Sequence, residues 1–380
     1  MSIFDELRDH HSLGFEAARM LPADAYTSTD VLAAEHERIF ATEWHCVGRT
    51  ADLPAVGDYL TAELITAAGR PRPIIVVRNA DGIAAFDNVC IHRGALLLDG
   101  RGHEARITCP YHAWVFRLDG QLVGAPYMNA TEGFDPANHC LHALAVEVWE
   151  GFVFVNQRPV SEPLAPAIGG LTDIVGRYRM AEYVPVHHQV DVWATNWKLM
   201  FENFMDAYHV FKVHKATFGK HGDNTLDTTM HAGTDRWAHH VVVHKEGGSG
   251  GAHPANAHLT GDWRRTIVLG AIFPTHVMQL QADWLWYLQI SPIGVDHVRI
   301  RWDVSVAPEV LEHSSDPEAH VRRLVELIHD VNAEDQPIVE RVFRGVSAGQ
   351  FSRAPLSYLE RNVYDFGRYV SGALSGDHPT

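Results

Sequence analysis

Two short segments, each joining one cysteine to one histidine, constrain the fold of this 380-residue chain more than any other feature. The first reads CIHRG and contributes Cys90 and His92; the second reads CPYHAW and contributes Cys109 and His112. Sixteen residues separate His92 from Cys109. Two thiolates and two imidazoles are the ligands of a Rieske 2Fe-2S centre, in which the cysteines hold one iron and the histidines the other. The spacing therefore predicts a small domain built around such a cluster.

The same four side chains would also satisfy one tetrahedral zinc ion, so a zinc-stabilised binding module is an alternative. Zinc sites more often pair cysteine with cysteine and histidine with histidine along the chain, which favours the iron–sulfur interpretation. The two other cysteines, Cys46 and Cys140, are expected to be small buried apolar residues.

Charge and hydropathy exclude several classes of protein. The chain carries 31 Lys and Arg against 47 Asp and Glu, a formal net charge of −16 at pH 7, which argues against a nucleic-acid-binding surface. No run approaches the ~18 apolar residues that span a bilayer, and the N-terminus lacks the pattern of a secretion signal. Four cysteines are too few for a disulfide-rich secreted scaffold. We therefore expect a cytoplasmic protein with no membrane or nucleic-acid partner.

Patterns of strands, helices and turns divide the chain into three parts and predict an α+β fold. Residues 1–40 read as a helical segment, and residues 41–160 as a small antiparallel β domain with tight hairpins. A Pro- and Gly-rich stretch at 158–171 marks the boundary. Residues 161–380 combine strand-like runs with long helical patterns, which predicts a helix held against an antiparallel sheet. Within this part, the Gly-rich segment 246–253 is expected to be mobile.

A second cluster of ligand-type side chains lies in the segment ENFMDAYHVFKVH, which contains Asp206, His209 and His214. Two histidines and one carboxylate are the ligands of a non-heme Fe(II) that keeps coordination positions open for O2. On a regular helix, positions 209 and 214 would point about 140° apart, so one helix cannot direct both imidazoles to one metal. We expect the helix to distort or to end between them.

The C-terminal helical pattern offers three carboxylates as the third ligand: Asp330, Glu334 and Asp335. Asp335 occupies the apolar seam of this helix, where a lone carboxylate is costly unless it is paired or metal-bound, whereas the other two fall off the seam. Asp335 is therefore preferred, and replacement of Glu334 is expected to be far milder. Pro337 leaves a second possibility open, a helix that restarts with Asp335 as its cap.

Taken together, the CxHRG and CPYHxW pair and the NWKxxxENxxDxYHxxxxH segment resemble the α (catalytic) subunits of Rieske non-heme iron ring-hydroxylating oxygenases, over about residues 35–345. One departure is Ala113, which stands where the family usually has glycine after the second cluster histidine. The resemblance implies that Asp206 lies beside the iron and links it to His112 of a neighbouring subunit. It assigns the 2Fe-2S cluster to Cys90, His92, Cys109 and His112, and the mononuclear Fe(II) to His209, His214 and Asp335.

The same resemblance implies the architecture and the partners. The catalytic domain is expected to be a helix-grip fold that encloses a hydrophobic cavity, and the subunits are expected to form a head-to-tail homotrimer, with a β subunit also compatible. Because the sequence has no GxGxxG dinucleotide signature, a separate NAD(P)H-dependent reductase, with or without a ferredoxin, is expected to supply electrons.

These observations predict an enzyme that uses O2 to hydroxylate a small organic substrate. Aromatic ring hydroxylation is the favoured reaction, and oxidative demethylation or hydroxylation of a quaternary ammonium or methylated amine is the alternative. A Rieske electron carrier without catalysis is a further possibility. The strand residues Met278, Leu280, Trp284 and Trp286 are expected to line an apolar pocket.

Overall fold

The computed structural model describes residues 2–158, 161–221, 227–246 and 251–376. Residues 247–250, which form half of the Gly-rich segment 246–253 that was expected to be mobile, lie outside this part of the chain. None of the described helices is both long enough and apolar enough to cross a membrane.

The chain divides into two compact units. One is formed by His36–Ala165, and the other by Met1–Glu35 together with Pro166–Thr380. These limits lie close to the boundaries expected at residues 40 and 160. The N-terminal helices, however, belong to the same unit as the C-terminal part of the chain.

The unit His36–Ala165 is built from antiparallel strands. They form a seven-stranded sheet of order β1-β10-β9-β4-β3-β2-β5 and a three-stranded sheet of order β6-β7-β8. The strands are β1 His45–Arg49, β2 Asp58–Ile65, β3 Pro71–Asn79, β4 Gly82–Asp87, β5 Arg101–His103, β6 Ile107–Thr108, β7 Val115–Phe116, β8 Leu122–Gly124, β9 Ala143–Trp149 and β10 Phe152–Asn156.

The unit contains tight hairpins, as expected, among them β3–β4 and β7–β8. One of its two core clusters includes Ile75, Phe86, Cys90, Cys109 and Trp114, so the strands bury the cysteines of the two Cys-His segments. The expectation for the other two cysteines is half right. Cys46 is buried in β1, but Cys140 is exposed, because it lies on an irregular stretch where its thiol contacts the side chain of Gln121.

The second unit contains nearly all of the helices and a second antiparallel sheet of seven strands, of order β11-β17-β16-β15-β14-β13-β12. Its strands are β11 Val184–Trp193, β12 Thr228–Met230, β13 Trp237–Val243, β14 Thr266–Ile272, β15 His276–Leu280, β16 Trp284–Pro292 and β17 Val298–Val306. The helices of the chain are α1 Ile3–His11, α2 Ala23–Thr27, α3 Thr29–Glu35, α4 Leu164–Ala167, α5 Gly169–Val175, α6 Trp197–Met205, α7 Val210–Val213, α8 Pro308–His313, α9 Pro317–Ser347 and α10 Arg361–Ser375.

Helix α9 is continuous over 31 residues and passes through Pro337 without a break. Asp316 caps its N-terminus, because its side chain accepts a hydrogen bond from the backbone of Ala319. A helix that restarts with Asp335 as its cap is therefore wrong, and Asp335 is a buried residue of the helix interior. Helix α6 packs against α9, α10 and the middle strands of the sheet. The predicted α+β class, with helices held against an antiparallel sheet, is confirmed.

A buried polar network joins the N-terminal helices to α6. The carboxylate of Glu35 pairs with the ammonium of Lys198 and accepts a hydrogen bond of 2.8 Å from Trp197 Nε1. Tyr26 donates a hydrogen bond of 2.8 Å to Glu202, whose pKa is raised to about 8 by burial. Because a buried charge is costly without its partner, this network fixes the position of α6.

Candidate metal centres and active site

The two Cys-His segments form loops that are closed by the same pair of backbone hydrogen bonds. The backbone N–H of Cys90 donates to the carbonyl of Ala95, and the N–H of Gly94 donates back to the carbonyl of Cys90. Cys109 makes the equivalent bonds, with Trp114 as acceptor and Ala113 as donor. In each loop the fourth residue after the cysteine lies in the left-handed region, with φ of 75° at Gly94 and 55° at Ala113. This conformation explains why glycine suits the second position, which alanine occupies at some cost in strain.

The loops bring the four predicted cluster residues together with the cysteines inside and the histidines outside. Cys90 and Cys109 are each 2% exposed, and burial raises the pKa of Cys90. The rings of His92 and His112 lie with centroids 4.7 Å apart, and His92 stacks on Trp114 at 4.6 Å.

The spacing of these four groups tests the zinc alternative. A single tetrahedral ion requires all four ligand atoms within about 4 Å of one another, given metal–ligand bonds of ~2.0–2.3 Å. Among the described residues, the set of three or more ligand atoms lying within 4.8 Å of one another is His209, His214 and Asp335, which includes none of the four. The arrangement therefore suits a two-iron cluster and not one zinc ion.

The second constellation is built where helix α6 stops. The side chain of Asn196 caps its start by accepting from the backbone of Lys198, and the helix ends at Met205. Asp206 has extended backbone angles, and the short helix α7 begins after it. His209 and His214 flank α7 at its two ends. The helix that precedes the histidines thus ends before His209, and the expectation that it ends between the two histidines is wrong, because α7 occupies that interval.

Three ligand atoms converge at this point. His209 Nε2 lies 3.1 Å from His214 Nε2, and Asp335 Oδ1 lies 3.4 Å and 3.2 Å from these two nitrogens. Ligands at ~2.1 Å from a metal and 90° apart are separated by about 3.0 Å, so this triangle fits one face of an octahedral ion. Asp335 Oδ1 is also buried without a well-aligned hydrogen-bond partner. The residues therefore fit a mononuclear metal with open positions on its other side.

A carboxylate supports each imidazole from behind. Asp206 Oδ2 lies 3.1 Å from His209 Nδ1, and Glu334 Oε2 lies 2.8 Å from His214 Nδ1. Thr217 donates a 2.7 Å hydrogen bond to the same Glu334 oxygen. Each Nδ1 can therefore keep its proton, which leaves each Nε2 with a free electron pair directed at the metal position. The sequence interpretation missed the contact of Glu334.

A cavity of about 710 Å³, its mouth included, opens onto these residues. One transverse row of the sheet forms part of its wall, because His240 pairs with Leu269, Leu269 with Gln279, and Gln279 with Trp286 across β13 to β16. The ring of Phe204 lies 5.1 Å from that of Trp286 and contributes from α6.

Only one of the four expected pocket residues belongs to this wall. Trp286 lines the cavity, whereas Met278 and Leu280 alternate with Gln279 and face the other side of the sheet. Met278 there packs against Gly270. Trp284 is not among the lining residues. The expectation for Met278, Leu280 and Trp284 is therefore wrong.

Comparison with known proteins identifies relatives of both units. The family model described as "Ring hydroxylating alpha subunit (catalytic domain)" matches residues 177–376, and the Rieske 2Fe-2S domain model matches residues 43–145. The carnitine monooxygenase oxygenase subunit of Acinetobacter baumannii is 35% identical over 227 residues, which cover 56% of this chain and 57% of that protein. Chloroplastic choline monooxygenase of Spinacia oleracea is 26% identical over 370 residues, 96% of this chain and 77% of that protein.

A solved structure shares the fold over almost the whole chain. The quaternary ammonium Rieske monooxygenase CntA in complex with L-carnitine superposes with a TM-score of 0.78 at 25% sequence identity, covering 97% of this chain and 98% of that one. The chain spans little more than half the length of the A. baumannii relative, at 57%.

Proposed function

Because the chain belongs to the family of ring-hydroxylating oxygenase α subunits with a Rieske domain, we propose that it is an O2-dependent oxygenase acting on a small organic cation. The observation that carries this proposal is the triangle of His209, His214 and Asp335 at the floor of the cavity. The overall reaction is R–H + O2 + 2 e⁻ + 2 H⁺ → R–OH + H2O. Hydroxylation of an N-methyl group in this way leads to oxidative demethylation.

Each predicted site residue has a proposed role. Cys90, Cys109, His92 and His112 hold the 2Fe-2S cluster, and His209, His214 and Asp335 hold the mononuclear Fe(II). When bound, the cluster supplies single electrons and the iron supplies the position at which O2 is reduced.

The chain's own groups prepare that chemistry. Asp206 and Glu334 hold the protons on the Nδ1 atoms of His209 and His214, which fixes both tautomers. Phe204 and Trp286 exclude water from one side of the cavity and present aromatic faces to the substrate.

The named relatives favour a cationic substrate over an aromatic ring, the reaction that the sequence alone favoured. Carnitine and choline, on which the two curated relatives are named as acting, both carry a quaternary ammonium. The cavity suits such a group, since Trp286, Phe204 and Phe218 offer ring faces and Asp206 offers negative charge. We therefore propose a quaternary ammonium or methylated amine as substrate.

For partners, we propose a separate NAD(P)H-dependent reductase, with or without a ferredoxin, and assembly as a homotrimer. In that assembly Asp206 would connect the mononuclear site to His112 of a neighbouring copy, as the family resemblance implies.

The test combines the iron-loaded protein with a competent reductase, NADH and 18O2. Choline, L-carnitine and naphthalene are supplied in turn, and the products are analysed by mass spectrometry. We expect a labelled or demethylated product from a cation and none from naphthalene. Asp335→Ala, with intact cluster absorption, is the matched inactive control. Labelled cis-diol from naphthalene alone would contradict the substrate assignment, and cluster reoxidation without any product would support an electron carrier.

A further inference from the structure

One polar group in the cavity wall has no role in holding metal. His240 lies on β13 and lines the cavity, and the residue is 2% exposed. Its Nδ1 lies 2.9 Å from Oδ1 of Asn362, which lies on α10, 122 residues further along the chain. The polar ring atom left to face the cavity is Nε2, and no hydrogen-bond partner for it occurs among the described residues.

The surroundings of Asn362 determine which atom of His240 carries the proton. Asn362 is completely buried, and its Nδ2 donates a 3.1 Å hydrogen bond to the carbonyl of His231. The same Nδ2 lies 3.5 Å from Asp365 Oδ2, a second acceptor. The amide nitrogen is thus directed at acceptors, so the amide oxygen must be the atom that faces His240. Because that oxygen can only accept, Nδ1 of His240 is the donor and carries the proton.

Asp365 is itself held in place, which makes the orientation of the amide robust. Its Oδ2 accepts a 2.7 Å bond from the backbone of Gly233, and its Oδ1 accepts a 3.0 Å bond from Arg361. The imidazole of His240 stays neutral at physiological pH, since burial lowers its pKa to about 4. With Nδ1 protonated, Nε2 presents a lone pair and is a hydrogen-bond acceptor only.

The charge of the cavity adds a second restriction. Asp206 and Asp335 line it, and no Lys or Arg side chain does so within the described part of the chain. A carboxylate on the substrate would therefore find no cationic side chain there and would lie close to Asp206, whereas the charge of Asp335 would be offset by the metal that it holds.

We infer that His240 Nε2 accepts a hydrogen bond from a hydroxyl or N–H group of the substrate, and that the cavity selects organic cations bearing such a donor and lacking a carboxylate. This inference rests on the proposed function and deepens it. Asn362 acts as a positioning residue, because it determines which nitrogen of His240 faces the substrate.

The distance between His240 and Trp286 along their row of the sheet determines which chain lengths the substrate probes should have. His240 and Trp286 are separated by three strand spacings, about 14 Å between Cα atoms. A series of ω-hydroxyalkyl trimethylammonium ions with two to four methylenes, of which choline is the first, covers the interval between the aromatic face and the acceptor. Each member is compared with its O-methyl ether, which keeps the charge and the oxygen atom, lacks the donor and is larger by one methyl group. L-carnitine is compared with 2-hydroxypropyl-trimethylammonium, which differs by the carboxylate.

The measurement is kcat/KM of the holoenzyme with its reductase, together with the dissociation constant of each probe. For the best-fitting chain length we expect the alcohol to exceed its ether by about tenfold, the value of one hydrogen bond to a buried neutral acceptor. L-carnitine should be at least about tenfold poorer than 2-hydroxypropyl-trimethylammonium. His240→Phe should reduce the alcohol-to-ether ratio to about one. Asn362→Leu should reduce the same ratio, and adding it to His240→Phe should change nothing further.

His239→Phe is the matched control, because the neighbouring histidine faces the other side of β13 and stacks on His231 at 4.5 Å. It should leave the ratio at the wild-type value.

The wild-type ratios test the inference even if a variant fails to fold. Equal values for alcohol and ether at every chain length would overturn the role of His240, and preference for L-carnitine would overturn the exclusion of carboxylates. Failure to bind or oxidise any cation in the series would instead remove the proposed function.

Discussion

The contact between Glu334 and His214 gives the most direct prediction about the mononuclear site. Glu334→Ala removes the carboxylate that contacts Nδ1 of His214, so that among the described residues the ring keeps only its contacts on the Nε2 side. A hydrogen bond to a charged group contributes about 1.5–3 kcal/mol net, and each ~1.4 kcal/mol is tenfold in an equilibrium constant. We therefore expect ferrous iron to bind about 10- to 100-fold more weakly, the range found when the outer partner of a ligating histidine is removed.

Two more conservative substitutions should weaken ferrous iron binding less than Glu334→Ala does. Glu334→Gln keeps an oxygen that can accept from Nδ1, so we expect a loss of only a few fold. Thr217→Val removes a donor to Glu334 but leaves the contact with His214, so its effect should be smaller than that of Glu334→Ala. Glu326→Ala is the matched control, because Glu326 is an exposed glutamate on the same helix.

The assay is competition for ferrous iron with a chelator of known affinity, with visible absorption of the cluster as an internal reference. Cluster absorption should be equal in all four variants, since the two metal sites use separate ligands. If Glu334→Ala retained iron as tightly as Glu326→Ala, the argument that this carboxylate orients His214 would be refuted.

Further predictions concern the other sites. Asp335→Ala should lower iron from three to two atoms per chain while acid-labile sulfide stays at two, as measured by metal and sulfide analysis. Asp206 supports His209 as Glu334 supports His214, so Asp206→Ala should also weaken iron binding. At ferrous iron concentrations that fill the weakened site, it should keep both metals yet lose product formation, which rapid mixing with parallel product analysis would reveal. Lys198→Met should lower the free energy of unfolding by about 3–5 kcal/mol, because it leaves Glu35 buried without its cation, and denaturant titration measures this loss. Burial lowers the pKa of His10 and of His45 to about 4, below the unfolded value of 6.5. Each group therefore contributes stability that is present above pH 6.5 and is lost as the pH falls towards 4, about 3 kcal/mol per group. Urea titrations at pH 7 and pH 5 should show this decline in the free energy of unfolding, and His45→Gln should make the decline shallower.

Local patterns in the sequence predicted much of this molecule. The cluster loops could be predicted because each is a closed turn of a few residues, so spacing alone places Cys90 near His92 and Cys109 near His112. The long C-terminal helix could be predicted because its apolar seam repeats over many turns. Packing along that continuous seam outweighs the tendency of Pro337 to interrupt the helix.

What was missed depends on information that periodicity does not contain. Alternation along β15 shows that Met278 and Gln279 face opposite sides, but not which side is the cavity; the register with β16 decides that. The helical seam correctly left Glu334 out of the core, yet its side chain reaches round to His214. The pairing of His240 with Asn362 joins residues 122 positions apart and has no local signature.

The residues that face the metal and the sheet residues that form part of the cavity wall lie on different secondary-structure elements, so the two sets can change independently in evolution. The metal-facing groups His209, His214 and Asp335 come from the ends of α7 and from α9. Part of the cavity wall comes instead from the row of the sheet that contains His240, Leu269, Gln279 and Trp286. A substitution in that row changes the shape or polarity seen by a substrate without touching a residue that faces the metal. A lineage can therefore acquire new substrates through single steps in β13 to β16 while its oxygen chemistry is conserved. Directed evolution of this protein should begin with the same row.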